Sequence, residues 1–283
     1  MLLAFAGNSL LCRLALKGDL INATDFTSVR LLAAAITLLV LLFMTNKSVN
    51  ISTLKPSRKQ VIGSTMLFLY AWLFSLAYLI LDTGSGALIL FGFVQLTLLF
   101  CGFCINQKPG WYDSLGMLLA CIGLVYWLIP AWGTPSVTGF FMMAAAGVSW
   151  GLYTFVGRKS ELPLLETSKN FIYSLPLVLL LNVFVFEPIS WRGEGVVLAI
   201  ISGSITSGLG YALWYAVLPK LKVYQAGVLQ LLVPVIAALG GWLILGEMVD
   251  GRFLLSSCMI LGGILLVLKT GQLKSKKNTK KTH

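Results

Sequence analysis

Eight side chains carry recognisable chemistry inside an otherwise apolar chain: Asn8, Tyr70, Trp72, Gln95, Trp150, Tyr153, Tyr211 and Gln230. Amides fix the polar atoms of a ligand by hydrogen bonds, and aromatic rings stack on its apolar part. Ser9, Ser149, Thr206 and Ser207 fall at similar depths in their apolar runs. Together these groups suit the binding of a small amphiphilic solute. Each alone also has a plainer role, since Ser and Thr bond to their own helix backbone and amides link neighbouring helices. Their spread over many elements favours a shared cavity, with Gln95, Trp150 and Gln230 as its leading members.

Bond-making chemistry finds less support. The single histidine is His283, at the end of a basic tail. Cys101 and Cys104 form a CxxC with no second pair, so the five cysteines read as packing groups rather than a redox or metal centre. A membrane-embedded enzyme needs paired carboxylates, or a nucleophile with a base, at one depth. The acids Asp25, Asp82, Glu187, Glu247 and Asp250 all lie near the ends of apolar runs. No cofactor and no metal are expected.

The elements that position these groups follow from composition. The chain is 58% hydrophobic and 11% charged, against roughly 45–50% and about 25% in soluble domains. So much apolar surface calls for lipid as solvent. The fold class is therefore all-α integral membrane. Ten apolar runs read as transmembrane helices: 1–17, 26–45, 60–81, 84–105, 112–130, 138–157, 166–186, 195–217, 223–245 and 252–270. The first begins without a basic region, so it reads as a short helix rather than a secretory signal.

Lys and Arg set the expected orientation. With the N-terminus inside, cytoplasmic joints hold Lys47, Lys55, Arg58, Lys59, Lys108, Arg158, Lys159, Lys220 and Lys222, and the tail adds six lysines. The outer joints hold only Lys17, Arg192 and Arg252. This bias predicts a multi-pass protein of the inner (plasma) membrane with both termini cytoplasmic. The net charge of +11 is thereby explained without nucleic acid, for which no basic stripe with interleaved aromatics exists. The basic tail meets anionic headgroups or simply anchors by the positive-inside rule.

A shift of 140 residues overlays the fourth run on the ninth and the fifth on the tenth, and brings the break 106–110 onto 246–250. The match is one of hydropathy and length. It predicts two five-helix repeats, 1–130 and 138–270, followed by the tail 271–283. An odd-numbered unit repeated along a membrane chain must be inverted, which is a transporter architecture with its site near the midplane.

Pro234 interrupts the ninth run, where a kink serves either gating or packing; Pro176 in the seventh reads as packing. Gly147 with Gly151, and Gly203 with Ser207, allow close helix approach. Arg13 and Arg30 fall in the outer parts of their runs, where long basic chains snorkel to the interface. The sharper alternative is that one of them attracts a carboxylate from outside. Lys169 reads as snorkelling too. With no acid at mid-depth, a facilitator or exchanger is expected rather than a proton antiporter. Glu247 is the candidate for any coupling role.

The stretch Pro234-Val235-Ile236-Ala237-Ala238-Leu239 to Leu245-Gly246-Glu247 resembles the second-repeat signature of the EamA family in the drug/metabolite transporter (DMT) superfamily. Val148-Ser149-Trp150-Gly151 with Arg158, and Gly262-Gly263, fit the same pattern. The resemblance implies an alternating-access carrier that largely exports amino acids or related metabolites. The first repeat departs from it: Val94 stands where the family often has proline, Asn106-Gln107 where it often has Gly-Glu, and Ala6-Gly7-Asn8 where Trp-Gly is common. The reading is a metabolite exporter whose partners are a small-molecule solute and the bilayer, with a homodimer left open. Its rivals are a lipid-acting enzyme, a non-transporting subunit with a sealed midplane, and a channel, which needs a ring of like groups that is not seen.

Overall fold

The computed structural model describes residues 1–45, 56–107, 109–128, 136–185, 191–248 and 251–279. These residues form ten helices and no strand. They are α1 (Leu2–Lys17), α2 (Ala23–Met44), α3 (Arg58–Tyr78), α4 (Thr83–Cys104), α5 (Trp111–Leu128), α6 (Val137–Gly157) and α7 (Pro163–Phe184). After them come α8 (Gly193–Lys220), α9 (Val223–Leu245) and α10 (Gly251–Thr279). Among the described residues, seven helices are long and apolar enough to cross a membrane: α2, α3, α4, α6, α7, α8 and α9.

Helix starts are written in local polar residues. Asn22 accepts the Asp25 N–H at 2.7 Å and starts α2 three residues before the sequence pattern does. Ser57 and Gln60 close a reciprocal capping box on α3, with bonds of 2.9 and 3.3 Å. α10 runs on to Thr279, into the stretch expected as a tail, because no proline follows Gly271 to stop it.

Two caps are not local. The Glu247 carboxylate, just past α9, accepts the Thr83 N–H of α4 at 3.0 and 3.1 Å. Gln107, just past α4, accepts the Val223 N–H of α9 at 3.1 Å. Each of these residues follows a left-handed turn, at Asn106 (φ 57°) and Gly246 (φ 65°). The two helices thus cap each other, which locks them side by side.

α4 packs along α9, α5 along α10, and α2 along α7. α6 crosses α3 and α4, while α1 lies against α8 and α9. The glycines permit this closeness. A Cβ on Gly147 would meet the Leu90 carbonyl of α4, and one on Gly203 would meet the Arg30 carbonyl of α2. The GxxxG of α6 is therefore a seat for α4, with Gly151 against Thr97.

α8 is not a regular helix. Ser202–Leu209 is wound as a π-helix, set between α-helical stretches. The segment SGSITSGL is made mostly of small residues, so the wider turn costs little side-chain packing. π segments are uncommon and often accompany functional sites, because the extra residue re-aims side chains.

Candidate functional site

The re-aimed π segment faces α1 and α2. Ser202 donates to the Asn8 amide oxygen at 2.7 Å, and Thr206 donates to the same oxygen at 3.3 Å. The Asn8 amide nitrogen donates to the Tyr70 hydroxyl at 3.2 Å. Asn8 thereby spends both ends of its amide on a network that joins α1, α3 and α8.

Arg30 lies beside that network and is 1% exposed. Its Nε donates to Ser207 at 3.0 Å, and its Nη2 reaches the Tyr70 and Tyr211 hydroxyls at 3.3 Å each. The guanidinium also sits 5.4 Å from the Tyr70 ring centre and 5.2 Å from that of Phe74. Its Nη1 has no hydrogen-bond partner. The expectation that Arg30 snorkels does not hold. Because α2 starts at Ala23, Arg30 lies two turns inside the helix on a face covered by α3 and α8, and its side chain stays in the core.

An aromatic wall completes the cluster. The Trp150 ring lies 4.8 Å from Tyr211, 5.0 Å from Tyr70, 5.4 Å from Phe5 and 5.5 Å from Tyr153, centre to centre. The Trp150 indole N–H donates to Gln230 Oε1 at 2.6 Å, and the Gln230 amide nitrogen donates to the Ala226 carbonyl at 3.1 Å. Phe171 of α7 lies tilted against Tyr211, 5.4 Å between ring centres. Tyr215 donates to the Tyr153 carbonyl at 3.1 Å and sets that ring at one edge.

Six of the eight residues marked by the sequence therefore meet: Asn8, Tyr70, Trp150, Tyr153, Tyr211 and Gln230. Two lie apart. Trp72 is two residues along α3 from Tyr70, so it turns to another face and stacks on Phe68 at 6.1 Å. Gln95 of α4 faces Gly227 of α9, so closely that a Cβ there would strike its amide oxygen. Both Gln95 amide atoms lack a partner. Arg30, Ser202 and the rings Phe5, Phe74 and Phe171 join the cluster without having been singled out for it. The available signal for Arg30 was the Asn22 cap, which lengthens α2 and moves Arg30 deeper.

Pro234 is buried in α9, and the helix breaks one turn earlier, at Leu231. Proline lacks the N–H that would bond the Gln230 carbonyl, which accounts for the break beside Gln230.

Glu247 belongs to a separate cluster at one end of the bundle. Arg13 pairs with Asp82 at 3.1 Å and lies 3.9 Å from Glu247. It also donates to the Tyr78 and Leu79 carbonyls at 2.8 and 3.3 Å. A cleft of about 250 Å³ opens beside this cluster, lined by Lys17, Asp82, Ser85 and Glu247 among others. Among the described residues no three His, Cys, Asp or Glu side chains gather as a metal site.

Helices of this length and apolarity, enclosing a polar and aromatic cluster, define a multi-pass membrane protein. The sequence profile of the EamA-like transporter family matches residues 137–269. An uncharacterized protein of Pseudomonas aeruginosa is 43% identical over 94% of this chain and 91% of its own length. The threonine/homoserine exporter RhtA of Salmonella typhimurium is 24% identical over 60% of this chain and 59% of its own. A solved crystal structure shares the fold with a TM-score of 0.75 at 21% identity, covering 94% of this chain and 97% of that one. The chain belongs to the EamA-like transporter family of the drug/metabolite transporter superfamily.

Proposed function

We propose that this protein exports a small amphiphilic metabolite, such as an amino acid, by alternating access, with a chamber that opens at the cluster around Trp150 when the helices part. It works as a facilitator or exchanger. The observation that carries this reading is one cluster of amides, hydroxyls and rings drawn from both halves of the chain. Asn8, Arg30 and Tyr70 come from the first half; Trp150, Ser207, Tyr211 and Gln230 come from the second. A site shared between halves opens to one side or the other as the halves rock. RhtA, a relative by sequence, bears the name of a threonine/homoserine exporter.

The halves are two inverted five-helix repeats, with the termini on the cytoplasmic side of the inner membrane. Supporting this, equivalent helices start 140 residues apart: Ala23 and Pro163, Thr83 and Val223, Trp111 and Gly251. Supporting it further, the reciprocal caps Gln107 and Glu247, and the turns Asn106 and Gly246, keep the same spacing. Pro234 and the break at Leu231 provide the hinge beside Gln230. Glu247 is the residue we assign any coupling role.

The test is counterflow of labelled threonine and leucine in proteoliposomes. Wild-type protein exchanges at least one of them, and Trp150→Ala and Gln230→Ala each lower the rate about tenfold or more. Rates within twofold of wild type in both variants would move the site away from this chamber. Loss of pH-driven uptake in Glu247→Gln, with exchange intact, would replace the facilitator with a proton-coupled carrier.

A further inference from the structure

Arg30 is a cation without an anion. Its three hydrogen bonds go to the neutral hydroxyls of Ser207, Tyr70 and Tyr211, and its Nη1 has no partner. Neither ion pair among the described residues includes it. Among the described residues the acids on the helices stand at their ends. Asp25, Asp113, Glu166 and Glu194 sit in first turns, Asp82 is an N-cap, and Glu247 follows the end of α9. Arg30 is the eighth residue of α2, which places it about 10 Å along a helix that rises 1.5 Å per residue. A charged group at such depth in a membrane is expensive unless it pairs or serves a ligand.

The surroundings hold the guanidinium rather than neutralise it. Tyr70 and Tyr211 share Nη2, the guanidinium lies over the rings of Tyr70 and Phe74, and Ser207 fixes Nε. This leaves one edge of the planar fork free. A carboxylate matches that edge, because guanidinium donors meet carboxylate oxygens with charge-assisted bonds. The Trp150 and Tyr211 rings lie next to the same fork, since Tyr211 touches both Arg30 and Trp150. They offer an apolar surface for the rest of the solute.

We infer that Arg30 is the anion-binding residue of the chamber, and that the solute is a small carboxylate whose apolar body stacks on Trp150 and Tyr211. The inference rests on the carrier reading for the solute's route. An amino acid and its deaminated analogue share this chemistry. The chamber residues are nearly all buried, so the carboxylate enters when the helices part, and it supplies the charge that Arg30 lacks.

The test measures thermal stabilisation of the purified full-length protein by leucine, 4-methyl-2-oxopentanoate and leucinamide. Ligand that binds only the folded state raises apparent stability with the logarithm of its concentration over Kd. Both carboxylates stabilise the wild-type protein and leucinamide does not. A response to the oxo acid equal to that of leucine names a plain monocarboxylate; a response to leucine alone names an amino acid. Arg30→Gln weakens carboxylate binding about tenfold or more, the scale of one lost charge-assisted pair. Arg30→Lys keeps the preference for acid over amide with lower affinity, which covers the case of a poorly folding Arg30→Gln. Equal stabilisation by leucinamide, no stabilisation by either acid, or unchanged carboxylate affinity in Arg30→Gln overturns the inference. Counterflow separates the two claims. Carboxylate binding without exchange leaves Arg30 as the anion site and removes the carrier. Exchange of leucinamide as fast as leucine keeps the carrier and removes the anion site.

Discussion

The protein holds two buried arginines in opposite circumstances. Arg13 sits at one end of the bundle with two acids, Asp82 and Glu247, and two backbone carbonyls. Arg30 sits deeper with hydroxyls and rings only. The first has its counter-charge built in and braces the junction of α1, α4 and α9. The second has a place prepared for a counter-charge and none supplied. The difference teaches that residue type does not assign a role in a membrane protein; the partners do.

Loss of Arg13 is the most damaging way to probe this contrast. Arg13→Gln leaves Glu247 buried without its cation, so stability falls by about 3 kcal/mol. Arg30→Gln orphans no acid but leaves the Ser207, Tyr70 and Tyr211 hydroxyls short of a donor, so stability falls by less, about 1–2 kcal/mol, while solute binding suffers. Denaturation of the two variants in the same detergent reads both values. Equal losses would break the comparison and make Arg30 a brace like Arg13.

Next in size is Trp150→Phe. The ring surface remains, but Gln230 Oε1 loses its 2.6 Å donor in a buried place, at a cost of about 2 kcal/mol. A Gln230→Leu, Trp150→Phe double variant recovers part of that loss in the same assay, because neither partner is then left unpaired. Tyr70→Phe removes the hydroxyl shared by Asn8 and Arg30, and stability falls by about 1 kcal/mol. Solute affinity changes less than in Arg30→Gln, since Tyr70 positions the guanidinium rather than meeting the carboxylate.

The smallest effect belongs to Glu247→Gln. Gln107 already caps α9 with a neutral amide, so a glutamine at 247 caps Thr83 in the same way. Only the charge facing Arg13 and the start of α4 is lost, at under about 1 kcal/mol. A loss near that of Arg13→Gln, read by the same denaturation, would show the carboxylate to be the keystone of the cluster.

Much of this was legible in the residues. The ten apolar runs correspond to the ten helices, and the EamA resemblance of Pro234 to Glu247 is matched by the family profile over residues 137–269. Asn8, Tyr70, Trp150, Tyr153, Tyr211 and Gln230 do lie together in the core. Trp72 did not join them because depth along a helix says nothing of the angle around it. Of the two readings open for Arg30, snorkelling and attraction of a carboxylate, the first fails because the Asn22 cap starts α2 earlier than its hydropathy does.

The sequence by itself determined that lipid is the solvent, where the apolar helices run, and which family the protein belongs to. These properties are sums over runs of residues, such as apolar length and local motif, and they survive uncertainty about any single contact. Only the tertiary structure decided who faces whom. The π winding at Ser202–Leu209, the exchange of caps between α4 and α9, and the unpaired edge of Arg30 all depend on residues far apart in the chain. Such pairings follow from how whole helices pack, and helix packing is set by the shape of many side chains at once.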